Sequence, residues 1–285
     1  MLARIIKTSR PILWLANWTS LIIGVAAAGE SKLFCPGFFA AAFLLGFPYA
    51  LFVYSINDYY DVKSDWLNPR KGTALGPKHE TEFVRLLPRL SFLGFITTLV
   101  GLLFFGKEVI AVYFVTSLFL YFYSARPIRF KGIPVLDGLI GGGFFLTSGG
   151  LLGYLMFGQT ISSLLTSFPI GFFVLFVAGT AIHLVGAALD IEPDKMEGTN
   201  TSAVFFGYKT IAVFCISISL LGILVVRQNL FYSLELFLAA VLAALLFFPI
   251  IRKSSLLKIV ISETVVLFTF LVVFGIGLIN LDLLR

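Results

Sequence analysis

Between Asn57 and Asp65 the chain reads N-D-Y-Y-D-V-K-S-D, and from Asp190 to Glu197 it reads D-I-E-P-D-K-M-E. These runs hold five of its seven aspartates: Asp58, Asp61, Asp65, Asp190 and Asp194. If a helix continued through the first run, Asp58, Asp61 and Asp65 would fall at i, i+3 and i+7, with Asn57 one turn before Asp61, along one face. Carboxylates that close repel one another unless a cation sits among them. Oxygen donors without a nearby His or Cys select a hard ion, and Mg2+ held by a few carboxylates completes its shell with water and phosphate oxygens. The first run therefore asks for a phosphorylated ligand. In the second run Pro193 separates Asp190 from Asp194, and proline inside a helix removes a hydrogen bond. A helix is thus expected to end near Ile191, with a turn carrying Asp194, Lys195 and Glu197 and a second Mg2+ held from the opposite wall.

Bases accompany these acids. Arg10 precedes the first apolar segment, Arg70 and Lys71 follow the first acidic run, and Tyr123 to Lys131 reads Y-S-A-R-P-I-R-F-K. Arg126, Arg129 and Lys131 can anchor the chain at a membrane surface, or bind diphosphate oxygens, the arginines in bidentate fashion. His183 lies seven residues before Asp190 and so shares its helix face; it serves a helix contact or an acceptor pocket equally well.

The chain of 285 residues is 59% hydrophobic and 13% charged, which excludes an ordinary soluble domain and indicates an all-helical integral membrane protein of one domain, residues 1–285. About 20 apolar residues cross a bilayer as a helix. On that measure nine segments are expected: 11–29, 36–56, 84–105, 109–123, 134–156, 166–188, 203–226, 231–251 and 259–281. Gly106, Lys107 and Glu108 alone part the third from the fourth. Assigning alternate loops to alternate sides puts 17 of the 21 Lys and Arg on one side and 4 on the other, as the positive-inside rule requires. The N-terminus is then cytoplasmic and the C-terminus opposite. The first acidic loop (57–82), the basic loop (124–133) and the second acidic loop (190–202) all face the cytoplasm.

The first apolar segment is long enough to stay in the bilayer, so the N-terminus is expected to be retained. The acidic runs close segments 2 and 6, which suggests two related halves. Gly138, Gly141, Gly142 and Gly143 suit tight packing or a cavity wall. Cys35 and Cys215 are read as packing residues. A formal charge of +6 without a basic patch and interleaved aromatics gives no nucleic-acid partner. An ion-coupled transporter is a second class, but its acids are expected near mid-membrane.

The first run fits the N-D-x-x-D-x-x-x-D pattern of the UbiA superfamily of intramembrane prenyltransferases at every fixed position, and D-I-E-P-D fits its second D-x-x-x-D motif. S-R-P-I-L-W at Ser9 to Trp14 and Y-S-A-R-P-I-R-F-K also resemble its signatures. The resemblance implies nine helices around a central cavity with a lateral opening, through which a lipophilic acceptor enters from the membrane lipid. It implies two Mg2+ ions, for which Mn2+ can substitute, bridging both motifs to a prenyl diphosphate. Ionisation of the allylic C–O bond is followed by alkylation of the acceptor.

Carried onto this sequence, the metal ligands are Asn57, Asp58, Asp61, Asp65, Asp190 and Asp194, and the diphosphate contacts Arg10, Arg70, Lys71, Tyr123, Arg126, Arg129, Lys131 and Lys195. Asp61, Asp190 and Lys131 are the catalytic groups. N-P-R-K-G after the first motif, R-F-K-G-I-P-V-L-D, and His183 ahead of D-I-E-P-D look like the carotenoid branch, the lycopene elongases, which add a C5 unit from dimethylallyl diphosphate. An aromatic or quinone-precursor acceptor is the alternative.

Overall fold

Long apolar runs leave the backbone no hydrogen-bonding partner but itself, so helices dominate. The computed structural model describes residues 1–28, 33–68, 71–166, 169–254 and Thr269. Arg70 and, apart from Thr269, the expected segment 259–281 lie outside the described residues. Among the described residues the regular elements are helices. They begin α1 (Leu2–Thr8), α2 (Pro11–Ala27), α3 (Pro36–Tyr60), α4 (Val62–Leu67), α5 (Thr81–Val84), α6 (Leu87–Leu102) and α7 (Lys107–Ser124). After the basic loop come α8 (Leu136–Gly138), a π-helical stretch (Leu139–Phe144) and α9 (Phe145–Met156) in one continuous rod. The remainder are α10 (Ile161–Thr166), α11 (Ile170–Leu189), α12 (Ile191–Glu197), α13 (Ser202–Val226), α14 (Leu230–Leu245) and α15 (Pro249–Lys253).

Each of the first seven expected segments overlaps a helix or helical rod, whereas the eighth, 231–251, is divided into α14 and α15 by a break at residues 246–248. Five helical segments are long and apolar enough to cross a membrane, including Pro36–Tyr60, Ile170–Leu189 and Ser202–Val226; this is a multi-pass membrane protein. Gly106 turns the chain between α6 and α7 with φ +106°, the break expected there. Phe104, Leu165 and Leu224 point outward, as side chains facing lipid do.

Local chemistry fixes the helix starts. Pro11, Pro36 and Pro249 each occupy the first helical position, where a missing N–H costs nothing. The Thr201 hydroxyl accepts from Val204 N at 3.3 Å and Asn229 Oδ1 from Tyr232 N at 3.1 Å. Cys35, expected only to pack, caps α3 by accepting from Phe38 N; Cys215 is fully buried.

The main core joins α2, α3, α9 and α11 around Leu21, Val25, Leu45, Leu152 and Phe172. Helix α2 crosses α9 at glycines, and a Cβ on Gly24 would stand 1.9 Å from the Gly150 carbonyl oxygen. That close crossing brings Arg10, at the head of α2, beside the end of α3.

Candidate active site

Both acidic motifs are built by the same backbone device. Helix α3 stops at Asp61 (φ −100°, ψ 12°) and α4 restarts; α11 stops at Asp190 (φ −106°, ψ 11°) and α12 restarts. Two expectations are corrected here. The first helix breaks at Asp61; Asp58 lies before that break, inside α3, turned about 100° from Asn57 and out of the cavity lining that Asn57, Asp61 and Asp65 share. The second motif is a short helix rather than a turn, because Pro193 falls within the first turn of α12, where its N–H is not required. Helices α4 and α12 pack against each other, which sets the two motifs face to face.

A cavity of about 350 Å³ lies beneath them. Asn57, Asp61, Asp65, Asp190 and Asp194 line its upper part together with Arg10, Lys71 and Lys131. Below, the wall becomes apolar and aromatic, with Tyr54, Leu120, Phe145 and Val185 beside Tyr123 and His183. The basic loop inserts between the motifs. Lys131 Nζ lies 2.7 Å from Asp61 Oδ2 and 3.6 Å from Asp194 Oδ1. Arg129 pairs with Asp61 Oδ1 at 3.0 Å and Glu197 Oε2 at 3.1 Å. Lys71 spans Asp58 and Asp65 at 2.8 and 2.7 Å. Asn57 Nδ2 donates to Asp61 Oδ2 at 2.9 Å and to Ser124 Oγ at 3.2 Å.

Asp58 is fully buried and is absent from the cavity lining. Its oxygens accept from Arg10, Lys71 and His79. The His79 ring stacks on Phe83 with centroids 5.0 Å apart. The pair pins the loop carrying Lys71 beneath the motif. His79 was not among the expected site residues, and Glu197, expected only as part of the second acidic set, pairs with Arg129. His79 stands alone in a loop, and its one sequence signal is that it is one of only two histidines.

Arg126 and Lys195 stand exposed, outside the cavity lining. The Tyr123 hydroxyl lies 3.0 Å from His183 Nε2. Asp137 accepts from the backbone and hydroxyl of Ser202, tying α8 to the start of α13.

The charges tune one another. Burial opposes ionisation of Asp61, but Lys131, then Arg129 and Lys71, outweigh it and hold its carboxyl below the usual range. Burial pushes Asp65 up to about 6, against the pull of Lys71 and with repulsion from Asp58 and Asp61. Burial likewise takes Asp194 to about 7, with Lys131 opposing and Asp190, Asp61 and Glu197 adding repulsion. Lys131 is raised despite its burial because Asp61 and Asp194 flank it.

The all-oxygen donor set suits a hard divalent cation. Among the described residues no three of His, Cys, Asp and Glu form a ready-made cage; the lysines hold the carboxylates apart in pairs. Among the described residues Arg10 Nε and Arg129 Nε are buried donors without an acceptor, which is the deficit an added anion with several oxygens would fill.

The profile of the UbiA prenyltransferase family matches residues 16–259. The chain belongs to that family. It is a membrane prenyltransferase. Among curated relatives, it is similar to a lycopene elongase/hydratase of Corynebacterium glutamicum, 33% identical over 208 residues covering 71% of this chain and 69% of that protein. The lycopene elongase/hydratase of Haloarcula japonica is 29% identical over 220 residues, 76% of this chain and 71% of that protein. In fold, the chain matches a UbiA homologue from Archaeoglobus fulgidus bound to DMAPP and Mg2+. The TM-score is 0.71 at 18% identity, covering 97% of this chain and 99% of that one.

Proposed function

We propose that this UbiA-family protein transfers a short allylic group from a prenyl diphosphate to the end of a carotenoid acceptor, as a lycopene elongase does, with Mg2+ as cofactor. The observation that carries the reading is the alternation of carboxylates and bases over an apolar cavity: Asp61, Asp65, Asp190 and Asp194 interleaved with Lys71, Arg129 and Lys131. Both motifs would hold the metal, as two ions or as one, with Mn2+ able to replace Mg2+. Bound there, Mg2+ supplies positive charge against which diphosphate can leave.

The chain's own residues do the rest. Lys131, Arg129 and Lys71 exchange carboxylate partners for diphosphate oxygens, and Arg10 offers its unsatisfied Nε–H. These donors are fixed before the C–O bond breaks, so the developing charge meets an oriented field rather than reorganising water. The rings of Tyr54 and Phe145 face the cavity, where they stabilise an allylic cation and exclude water. Asp58 acts beneath the site, orienting Arg10 and Lys71. The relatives named lycopene elongase/hydratase support a carotenoid acceptor reached from the bilayer, and the charge asymmetry of the loops supports a cytoplasmic site with the C-terminus opposite.

The test uses purified protein in lipid nanodiscs with Mg2+, labelled dimethylallyl diphosphate, and either lycopene or hydroxybenzoate. Lycopene is expected to gain one C5 mass increment. Label appearing only on the aromatic acid would overturn the carotenoid reading.

A further inference from the structure

We propose that Tyr123 and His183 form the proton relay that ends the reaction: His183 takes up, through the Tyr123 hydroxyl, the proton the acceptor loses once the new C–C bond has formed. The proposal rests on prenyl transfer as the activity of this cavity. The Tyr123 hydroxyl lies 3.0 Å from His183 Nε2, and the rings meet edge to face, 5.8 Å between centroids at 82°. Both line the cavity below the acids. The other histidine, His79, is committed to Asp58.

Depth favours this pair. His183 precedes Asp190 by seven residues on α11, which is about 10 Å along the helix axis. From an outer diphosphate oxygen through the allylic carbon to the acceptor carbon left cationic is roughly seven bonds of ~1.5 Å, or about 9 Å once the zigzag is allowed for. The proton to be removed therefore arises at the level of the pair, below the carboxylates engaged with Lys71 and Lys131. Tyr54, also in the lower wall, lies under the Arg10 guanidinium, 4.3 Å from its ring centroid.

The fold makes room for the relay at a cost. A Cβ on Gly141 would stand 2.6 Å from both His183 Cε1 and Tyr123 Cε2, and one on Gly142 2.5 Å from His183 Cβ. Consecutive glycines weaken a helix interior, and the helix carries a π-helical stretch here, a feature frequent at functional sites. The glycine run is thus the cradle of the Tyr123–His183 pair.

The step balances. The acceptor's alkene pair bonds to the allylic carbon as the C–O pair leaves with diphosphate, and a tertiary carbocation remains. A neighbouring C–H pair becomes the new alkene. Its proton passes to the Tyr123 oxygen while the tyrosine's own proton passes to Nε2, leaving tyrosine unchanged and histidine as imidazolium. This requires the tautomer in which Nε2 accepts.

The test compares wild type, His183→Gln and Tyr123→Phe in nanodiscs with Mg2+ and dimethylallyl diphosphate, using lycopene with and without deuterium beside its terminal double bonds. Product formation should fall about 100-fold in His183→Gln, the scale of general-base catalysis. The half-saturating donor concentration should stay within about threefold of wild type. A primary deuterium isotope effect, absent from wild type, should appear in both variants, with a smaller rate loss in Tyr123→Phe. If His183→Gln does not fold, Tyr123→Phe alone decides. Unchanged turnover, loss of donor binding in step with rate, or no isotope effect would overturn the relay. If wild type leaves lycopene untouched but alkylates hydroxybenzoate, the carotenoid reading falls instead, and the variants are judged on ring-deuterated hydroxybenzoate by the same criteria.

Discussion

Lys131→Met removes the cation that sits 2.7 Å from Asp61 and 3.6 Å from Asp194. Methionine keeps most of the stem volume, so the change is chiefly one of charge. Breaking a buried ion pair from one side costs about 3–5 kcal/mol; the lower end applies because Arg129 and Asn57 still donate to Asp61. In the proposed reaction the same ammonium would face the departing diphosphate, and loss of one preorganised donor costs roughly 10²–10³ in kcat. Release of labelled diphosphate from dimethylallyl diphosphate, with Mg2+ saturating, measures this directly. Lys131→Arg should recover part of the rate, since it restores charge with different geometry. If Lys131→Met retains kcat within about threefold of wild type, the lysine is only a counter-ion of the resting protein and the account of leaving-group stabilisation is wrong.

Two further outcomes are expected from the geometry. Because burial raises Asp65 to about 6 and Asp194 to about 7, both carboxyls are largely protonated below those values and cannot ligate a cation. Affinity for Mg2+ with diphosphate should therefore rise with pH between about 5.5 and 8, with protons released on binding; calorimetry in buffers of different ionisation enthalpy reads both, and a pH-independent affinity would contradict it. At the α2–α9 crossing, Gly24→Ala places a Cβ against the Gly150 carbonyl, and overpacking of this kind costs about 1–3 kcal/mol. A thermal melt of the detergent-solubilised variant should show a lowered midpoint, and an unchanged one would mean the helices part without penalty.

The site was legible in sequence where a motif stays in regular helix and opaque where the chain breaks. Asn57, Asp61 and Asp65 share a cavity wall because i, i+4 and i+8 survive the short interruption at Asp61. Asp58 does not join them: next to Asn57 within α3, it points about 100° round the helix, where Arg10, Lys71 and His79 enclose it, and spacing does not mark those partners. Pro193 misled in the opposite sense: proline stops a helix from within but suits its first turn, and the restart at Ile191 is what decides. Arg129 and Lys131 reach the acids while Arg126, equally basic and three residues before Arg129, is exposed; spacing alone gave no means of separating them. Apolar segments 1 to 7 were readable from length and hydropathy because lipid imposes both, while the break at residues 246–248 inside the eighth was not. The aromatic wall was not, because Tyr54 and Phe145 are two among 10 Tyr and 32 Phe, distinguished only by which helix face meets the cavity.

The central claim is that opposed carboxylates on α3–α4 and α11–α12, together with a divalent cation, drive allylic transfer. It is tested most directly by following labelled dimethylallyl diphosphate into lycopene with wild type, Asp61→Ala and Asp190→Ala, each with Mg2+, with EDTA, and with Mg2+ restored after EDTA. Transfer should occur in wild type, stop on chelation, return with Mg2+, and be absent from both variants although they remain folded by thermal melt. Transfer that survives chelation, or full activity in either variant, would contradict it.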